Sequence, residues 1–339
     1  MNASRVTIRT MNSGPLPLLI TMGDPVGIGP EIIARAFQRG ACEGCIVVGD
    51  VSAMLRALNL IGWPTSVAKL DAPTEFAPPG WLPVWEPAFS EDDLGALPWG
   101  RVDARAGMAA AGCVVAAAQA LLRGQACAMV TAPLHKAALA AAGVPYPGHT
   151  EMLQALSGGV PVRMMLANEE LRVVLVTIHL SLRRAIDAVT FEAVLATQRI
   201  ANRSGDKLRI AVAGLNPHAG EDGLFGSEER DIIAPAIAAA RAEGIDARGP
   251  FAPDTVFMRA RHSAAHPGEF DIVIAMTHDH GLIPVKYLGV EEGVNVTLGL
   301  PFVRTSPDHG TAFDIAGTGR ADASSLYAAL RMARRLSRP

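Results

Sequence analysis

The sequence has no basic patch and no run of five or more like charges, and its formal net charge is only −3. These features argue against nucleic acid as the main partner. No apolar run approaches the roughly 20 residues that cross a bilayer, so we expect no membrane partner. Residues 1–14 lack the apolar stretch of a signal peptide. We expect a flexible extension there, with Met11 as an alternative start to Met1, and a cytoplasmic location.

Cysteine is also scarce, with four residues in 339. Cys42 and Cys45 form a CxxC pair, but no histidine is nearby, and the pair precedes a predicted strand instead of opening a helix. These features argue against a zinc site and against a redox site. We therefore interpret the pair as ordinary reduced thiols.

Apolar strands and amphipathic helices alternate along the chain, which predicts an α/β fold with helices on both faces of a parallel or mixed sheet. Residues 45–48 are typical of a buried strand, and the alanine-rich residues 104–123 are typical of a helix. The length suits two lobes with a central cleft. We place the first lobe in residues 15–135 plus 290–337, because a closing helix often packs on the first lobe, and the second in residues 136–289.

Three predicted strands each end in a histidine: Leu171–His179, Leu208–His218 and Phe270–His278. Their Val, Ile and Ala residues predict burial on both faces, as in a parallel sheet. Because the carboxyl ends of such strands point into one crevice, the three imidazoles could converge on one metal ion with an open coordination position. Asp279 and Glu221 could orient the rings. The alternative is a hydrogen-bonded histidine at each strand end.

Several residues between positions 149 and 304 favour the binding of an anion. His149 and Thr150 begin a predicted helix, with Thr150 as its predicted N-cap, and helix N-termini bind phosphate. Lys286, Asn295 and Arg304 supply the donors that a phosphate or carboxylate needs. The alternative for each basic residue is a solvated surface charge.

Two loops are rich in small residues. Residues 23–31 (GDPVGIGPE) connect the first strand to the first helix, but they match neither the Rossmann nor the P-loop fingerprint, so we reject a Rossmann fold. Residues 306–317 (SPDHGTAFDIAG) contain a His-Gly turn that lets the backbone approach a flat ligand. A purely structural turn is the alternative for this second loop.

Motifs from Gly23 to Gly317 together resemble the 4-hydroxythreonine-4-phosphate dehydrogenase family of vitamin B6 biosynthesis. In order they are GDPVGIGPEI, APLHKAAL, PGHTEML, LNPHAGEDGLFGSEE, PDTVF, HDHGLIPVK and VNVTLGLPFVRTSPDHGTAFDIAG. The first and last loops also resemble the isocitrate/isopropylmalate dehydrogenase group, which binds NAD without a Rossmann fold. The resemblance therefore implies two α/β/α lobes of that type. One departure is His280, where the family commonly has glutamine.

The resemblance implies a role for each candidate residue. It implies one divalent metal ion (zinc, magnesium, manganese or cobalt) held by His179, His218 and His278. It implies substrate contacts at His149, Thr150, Lys286, Asn295 and Arg304, and NAD or NADP near His309, Gly310 and Asp314. Asp254 and Lys136 are the candidates for the catalytic base. It also implies that the first lobe binds the cofactor and that the second lobe carries the metal, substrate and dimer contacts. The expected assembly is a homodimer whose active sites take residues from both subunits.

The implied reaction is oxidation of the 3-hydroxyl of 4-phosphohydroxy-L-threonine with NAD(P), followed by decarboxylation to 3-amino-2-oxopropyl phosphate, in pyridoxal 5'-phosphate biosynthesis. Relatives that oxidise 4-phospho-D-threonate or D-erythronate in sugar-acid catabolism keep that alternative open. Two further alternatives belong to other classes, namely a metal-dependent hydrolase and a non-catalytic binder of a phosphorylated ligand. The hydrolase would leave the 306–317 loop without a role.

Overall fold

The computed structural model describes residues 15–87 and 93–337, so the extension predicted for residues 1–14 lies outside the described residues. The described chain divides into two compact units. The second unit is Pro161–Gly299, and the first comprises the described chain before and after it.

Strands and helices alternate, as the sequence predicted. The part before the second unit contains β1 (Leu18–Thr21), α1 (Gly29–Gln38), β2 (Cys45–Val48), α2 (Val51–Leu60), β3 (Val67–Leu70), β4 (Leu82–Trp85), α3 (Ala104–Leu122), β5 (Ala128–Thr131), α4 (Lys136–Ala141) and α5 (His149–Leu156). The second unit contains β6 (Arg163–Ala167), β7 (Arg172–Leu175), α6 (Leu182–Asp187), α7 (Phe191–Asn202), β8 (Ile210–Ala213), α8 (Ala234–Ala242), β9 (Ala247–Phe251), α9 (Val256–Ala260), β10 (Ile272–Ala275), α10 (His278–Tyr287) and β11 (Val294–Leu298). The chain closes with β12 (Val303–Pro307) and α11 (Ser324–Leu336).

The sheet of the first unit is parallel throughout its described strands, in the order β3-β4-β2-β1-β5-β12. β1 lies at its centre, with Leu18 opposite both Cys45 and Ala128. All four residues of β1, β2 and β5 are buried, as expected for strands covered on both faces. Their carboxyl ends therefore lie at one edge of this sheet.

The sheet of the second unit is mixed, in the order β11-β6-β7-β10-β8-β9. β6 pairs antiparallel with β11 and with β7, whereas β7, β10, β8 and β9 run parallel. A core that includes Val173, Phe270 and Leu282 packs on this sheet. The prediction of an α/β fold with a parallel or mixed sheet is confirmed.

Several local predictions were wrong at element ends. The sequence also predicts Ser52 as the cap of a helix through Leu58, but Asp50 caps α2, because its Oδ1 accepts a hydrogen bond from the Ala53 amide at 2.7 Å. Ser52 therefore lies inside the helix. α5 begins at His149 with Gly148 at its N-cap, so Thr150 lies in the first turn and does not cap it. In both cases the cap falls two residues earlier than predicted, within the common range of error at helix ends.

Helix α10 was missed, because Gly281 and Pro284 are unfavourable inside helices and the sequence HDHG resembles a polar turn. The glycine has a packing reason that the sequence does not show. A Cβ at Gly281 would lie 2.4 Å from the Leu175 side chain, so only glycine lets α10 lie this close to β7. Tertiary packing therefore decides the structure of this segment.

Helix α3 is, by length and composition alone, apolar enough to cross a membrane. A helix of this length and apolar character was not predicted from the sequence as a possible membrane span. In the structure 61% of its most apolar window is buried. Gly107 packs so closely on α4 that a Cβ there would lie 2.1 Å from the Ala138 carbonyl oxygen. These contacts are typical of a core helix.

Candidate functional site

The three predicted histidines follow three adjacent strands. β10 pairs in parallel with β7 on one side and with β8 on the other, so their carboxyl ends lie at one edge of the second unit's sheet. His179 comes four residues after β7, and His278 is the first residue of α10, directly beyond β10. His218 lies beyond β8 in a turn of unusual backbone conformation.

His179 and His278 lie side by side, with ring centroids 5.6 Å apart. The Nδ1 of His278 is 2.7 Å from Oδ1 of Asp279, and because a carboxylate only accepts, Nδ1 carries the proton. In the neutral ring, Nε2 of His278 is then the nitrogen that carries the electron pair for a metal ion. A carboxylate that fixes the tautomer in this way is typical of metal-ligating histidines.

His218 is exposed, with its ring 6.0 Å from that of Phe225. It lines a cavity of about 600 Å³ together with Asp254, Glu228 and His280. No group of three or more His, Cys, Asp or Glu residues in the described ranges lies close enough together to hold a metal. Of the predicted ligands, the structure thus brings His179 and His278 into ring contact.

The chemistry of the donors nevertheless fits a divalent ion. Imidazole nitrogens are common ligands of zinc and similar metals, and the strand order brings all three histidines to one sheet edge. The predicted partner Asp279 does contact His278, whereas Glu221 is exposed in the turn that follows His218.

His280 lies in the same cavity, half-buried, with its ring 5.9 Å from that of Phe257. Burial lowers the pKa of His280, although a backbone contact to Pro253 opposes this effect. Its Nε2 is buried and has no hydrogen-bond partner among the described residues. His280 is therefore a neutral ring beside Asp254, a candidate for the catalytic base, which is exposed at the cavity wall.

The first unit holds a buried cationic group. Arg304 lies on β12 and is only 3% exposed. Its guanidinium donates to Oγ1 of Thr131, at the end of β5, over distances of 2.6 and 3.2 Å. Burial lowers the pKa of Arg304 to about 10, so the group is still charged at neutral pH. Thr131 was not among the predicted site residues, although its place at the end of a parallel strand was a usable signal.

His149 lies close enough to Arg304 to feel its charge. Burial, and secondly the positive charge of Arg304, lower the pKa of His149 well below its usual value, so its imidazole is neutral. Its Nε2 is buried without a described partner. A charged guanidinium, a neutral imidazole and the N-terminal turn that carries Thr150 offer an anion several donors at once.

The other predicted substrate contacts lie in the second unit. Lys286 is half-buried in the last turn of α10. Asn295 is half-buried on β11, opposite Leu166 of β6. Each unit therefore carries its own group of candidate substrate contacts.

The two loops of small residues meet within the first unit. The Ile28 amide donates to the Thr311 carbonyl oxygen at 3.0 Å, and a Cβ on Gly27 would lie 3.0 Å from the Thr311 Cβ. Phe313 of the last loop stacks on His135, with ring centroids 4.4 Å apart. The two loops, which the sequence presents as separate features, therefore contact each other through their backbones.

The predicted cofactor and base residues of the first unit lie on or beside these loops. His309 folds its Nδ1 to within 3.0 Å of the Gly310 carbonyl oxygen, while its Nε2 is buried without a described partner. Asp314 is exposed. Lys136 is exposed at the start of α4, next to the stacked His135.

Asp24, in the first loop, is fully buried, and its Oδ1 accepts a hydrogen bond from the Val26 amide at 3.0 Å. Burial raises the pKa of Asp24 to about 6. The folded state thus binds this proton more tightly than the unfolded chain, so the contribution of Asp24 to stability falls as the pH rises from about 4 to 6, by about 3 kcal/mol. We expect Asp24→Asn, which keeps the Oδ1 acceptor, to raise the thermal midpoint at pH 8 but not at pH 4.

Thermal unfolding between pH 4 and pH 8 tests this expectation. Asp103→Asn is the matched control, because a hydrogen bond from Arg105 lowers the pKa of Asp103, and its substitution should lower stability at pH 8. Parallel stability profiles for the wild type and Asp24→Asn would contradict the account of Asp24.

Known proteins are similar to this chain over nearly its whole length. A 4-hydroxythreonine-4-phosphate dehydrogenase from Beijerinckia indica is 54% identical over 331 residues, 95% of this chain and 96% of that protein. The D-threonate 4-phosphate dehydrogenase of Salmonella typhimurium is 45% identical over 94% of this chain and 98% of that protein. A crystal structure of 4-hydroxythreonine-4-phosphate dehydrogenase from Klebsiella pneumoniae has a TM-score of 0.88 and 43% identity, covering 97% of this chain and 100% of that one.

The fold and these relatives together define a dehydrogenase of the α/β class. More particularly, the chain belongs to the family of the pyridoxal phosphate biosynthetic protein PdxA, whose sequence model matches residues 41–333. The family and the enzyme class predicted from the sequence are confirmed.

Proposed function

We propose that this protein oxidises the 3-hydroxyl of 4-phosphohydroxy-L-threonine with NAD or NADP and decarboxylates the product to 3-amino-2-oxopropyl phosphate, in pyridoxal 5'-phosphate biosynthesis. The protein is an oxidoreductase of the PdxA family. The observation that carries the proposal for the substrate is the buried Arg304 beside His149, because a buried cation with neutral donors around it suits a phosphate. The relative from Beijerinckia indica bears the name of this activity.

We propose that the substrate is bound by His149, Thr150, Lys286, Asn295 and Arg304. Arg304 supplies a planar pair of donors and full charge, and Thr131 fixes its orientation. His149 stays neutral, so it adds a hydrogen bond without a second buried charge. Fixing the phosphate would align the hydroxyl-bearing carbon for hydride transfer.

We propose His179, His218 and His278 as the residues that hold one divalent metal ion, which would lower the pKa of the substrate hydroxyl and stabilise negative charge on its oxygen. Asp279 fixes the tautomer of His278. Asp254 is our preferred general base, since it shares a cavity with His218, and Lys136 is the other candidate. His309, Gly310 and Asp314 remain the proposed contacts of NAD or NADP.

We also propose a cytoplasmic homodimer whose active sites take residues from both subunits. The second unit exposes large apolar side chains, including Ile283 and Tyr287 on α10, which are 64% and 90% exposed. Exposed apolar groups of this size are typical of an interface. Leu182, 67% exposed, lines the cavity that also contains His218. A second copy seated there would exclude water from that cavity.

A second candidate function is oxidation of 4-phospho-D-threonate, because a relative with 45% identity bears that name. That substrate shares the phosphate, hydroxyl and carboxylate and lacks the amine. The donors around Arg304 would suit both compounds.

The deciding experiment follows NADH formation by absorbance with 4-phosphohydroxy-L-threonine, 4-phospho-D-threonate and 4-phospho-D-erythronate in parallel, with and without a chelator. We expect metal-dependent turnover with the highest kcat/KM for the amino acid. A higher kcat/KM for either sugar acid would move the protein to sugar-acid catabolism. No reduction of NAD or NADP with any of the three, in metal-replete protein, would overturn the proposal.

A further inference from the structure

The chain that begins at His218, beyond β8, has a backbone conformation that L-amino acids rarely adopt. Residues 218–222 have φ values of 53°, 53°, 78°, 40° and 55°, all in the left-handed region. We call these residues the left-handed segment. Only the third of them is glycine. Such a run persists only where the surrounding structure fixes it, and strain of this kind collects at functional sites.

Glu229 supplies the contacts that fix the chain just before this segment. It is 4% exposed, and its Oε1 accepts hydrogen bonds from the amides of Leu215 and Asn216, both at 2.7 Å. Its Oε2 accepts from the Asn216 side-chain amide at 2.9 Å. One carboxylate therefore binds two successive backbone amides and one side chain, immediately before Pro217 and His218.

Two glycines pack closely against this carboxylate. A Cβ on Gly214 would lie 2.9 Å from Oε1 of Glu229, and a Cβ on Gly220 would lie 2.7 Å from Oε2. The backbone on both sides of His218 thus approaches the carboxylate as closely as glycine permits. Glu229 also begins a π-helical turn, Glu229–Ile233, a rare geometry that is frequent at functional sites.

Glu229 remains ionised in this position. Burial acts to raise its pKa, but the hydrogen bonds from Asn216 and Leu215 outweigh burial and leave the pKa below its usual value. A charged acceptor makes stronger hydrogen bonds to amides than a neutral one. The neighbouring Glu228 accepts only from the Asn216 side chain, at 2.7 Å, and binds no backbone amide of this connection among the bonds observed.

We propose that Glu229 is the positioning residue of His218: by binding the backbone of residues 215 and 216, it holds the left-handed segment in the conformation that directs the His218 imidazole toward a metal ion. The inference rests on the proposed metal role of His218. Glu229 itself does not contact the metal in this proposal, but its removal should weaken metal binding.

The test measures the dissociation constant of Zn²⁺ by calorimetry on metal-stripped full-length protein, with the absorption spectrum of bound Co²⁺ as a second readout. We expect Glu229→Ala to weaken Zn²⁺ binding by about 10- to 100-fold, the usual effect of losing a group that orients a ligand. Glu229→Gln, whose amide oxygen can still accept from both backbone amides, should recover most of that loss. Asp231→Asn, in the same π-helical turn but exposed, is the control and should bind as the wild type does.

A double variant separates positioning from general damage to the fold. If Glu229 acts through His218, then adding Glu229→Ala to His218→Ala should cause no further loss of Zn²⁺ affinity. If Glu229→Ala does not fold, Glu229→Asp replaces it in the test. Aspartate keeps the negative charge, but its shorter side chain moves the oxygens away from the two backbone amides. We then expect Zn²⁺ affinity to fall about tenfold. The inference would be overturned if the folded Glu229 variants bound Zn²⁺ with wild-type affinity. It would also be overturned if Glu229→Ala weakened Zn²⁺ binding as much in the His218→Ala background as in the wild type.

The failure of the inference and the failure of the proposed metal site have different signatures. If His218→Ala binds Zn²⁺ like the wild type, the proposed site itself is wrong. If His218→Ala loses Zn²⁺ binding while Glu229→Ala keeps it, the site stands and only the role of Glu229 is wrong.

Discussion

Arg304→Met is expected to lower kcat/KM by roughly two to three orders of magnitude, because it removes charge-assisted hydrogen bonds to the substrate anion in a site screened from water. The same change should leave the thermal midpoint unchanged or raise it. Burial already lowers the pKa of this guanidinium to about 10, which shows that its charge is held at a cost to folding. Activity would fall while stability would not. The measurements are steady-state kinetics with 4-phosphohydroxy-L-threonine and thermal unfolding of the same preparations.

Arg163→Met is the matched control for this prediction. Arg163 is a half-buried arginine of the second unit that also donates to a threonine, Thr197, at 2.7 Å, and we assign it no substrate contact. We expect its kcat/KM to stay within about threefold of wild type. Arg304→Lys keeps the charge but loses the planar fork and should fall between the two. Wild-type kcat/KM in Arg304→Met would remove Arg304 from the substrate site.

His218→Ala is expected to weaken Zn²⁺ binding strongly, so that the metal is lost on dialysis, and to reduce kcat by at least about a thousandfold. The proposed site would then retain only two protein ligands, fewer than the three typical of a catalytic metal centre. Metal content after dialysis and NADH formation at saturating substrate measure the two effects on one sample. His218 is exposed and packs only loosely, so the thermal midpoint of the metal-free protein should change little.

The control for this prediction is His262→Ala. His262 is a histidine of the same unit whose ring nitrogens contact the Phe270 carbonyl oxygen and the Gly268 amide, at 3.3 Å each. We expect it to keep its metal and its turnover, with some loss of stability from the broken hydrogen bonds. Full activity in His218→Ala would eliminate the three-histidine site, whatever the behaviour of His179 and His278.

Much of the candidate site was predictable because residues that follow parallel strands lie at the same edge of the sheet. Buried Val, Ile and Ala runs predicted that the segments before His179, His218 and His278 are strands of a parallel sheet, and parallel strands deliver their carboxyl ends to one edge. The structure places β7, β10 and β8 side by side. What the pattern could not predict is the path after each strand, where conformation depends on distant side chains.

Helix α10 and the left-handed segment show this limit. The first contains a glycine and a proline that local propensity disfavours, and it forms because Gly281 fits against Leu175. The second contains four non-glycine residues at positive φ, and Glu229 fixes its start by hydrogen bonds across 13 and 14 residues of sequence. Neither contact leaves a periodic signal in the chain.

The sequence by itself determined the α/β class, the family and the candidate residues, because apolar alternation, glycine loops and motif order are properties of the chain alone. Only the tertiary structure decided the state of those residues. It buried Arg304 on Thr131 beside a neutral His149, paired His278 with Asp279, and joined the two loops of small residues through Ile28 and Thr311. Burial and hydrogen bonding between distant segments set charge and orientation, and these are fixed only once the chain has folded.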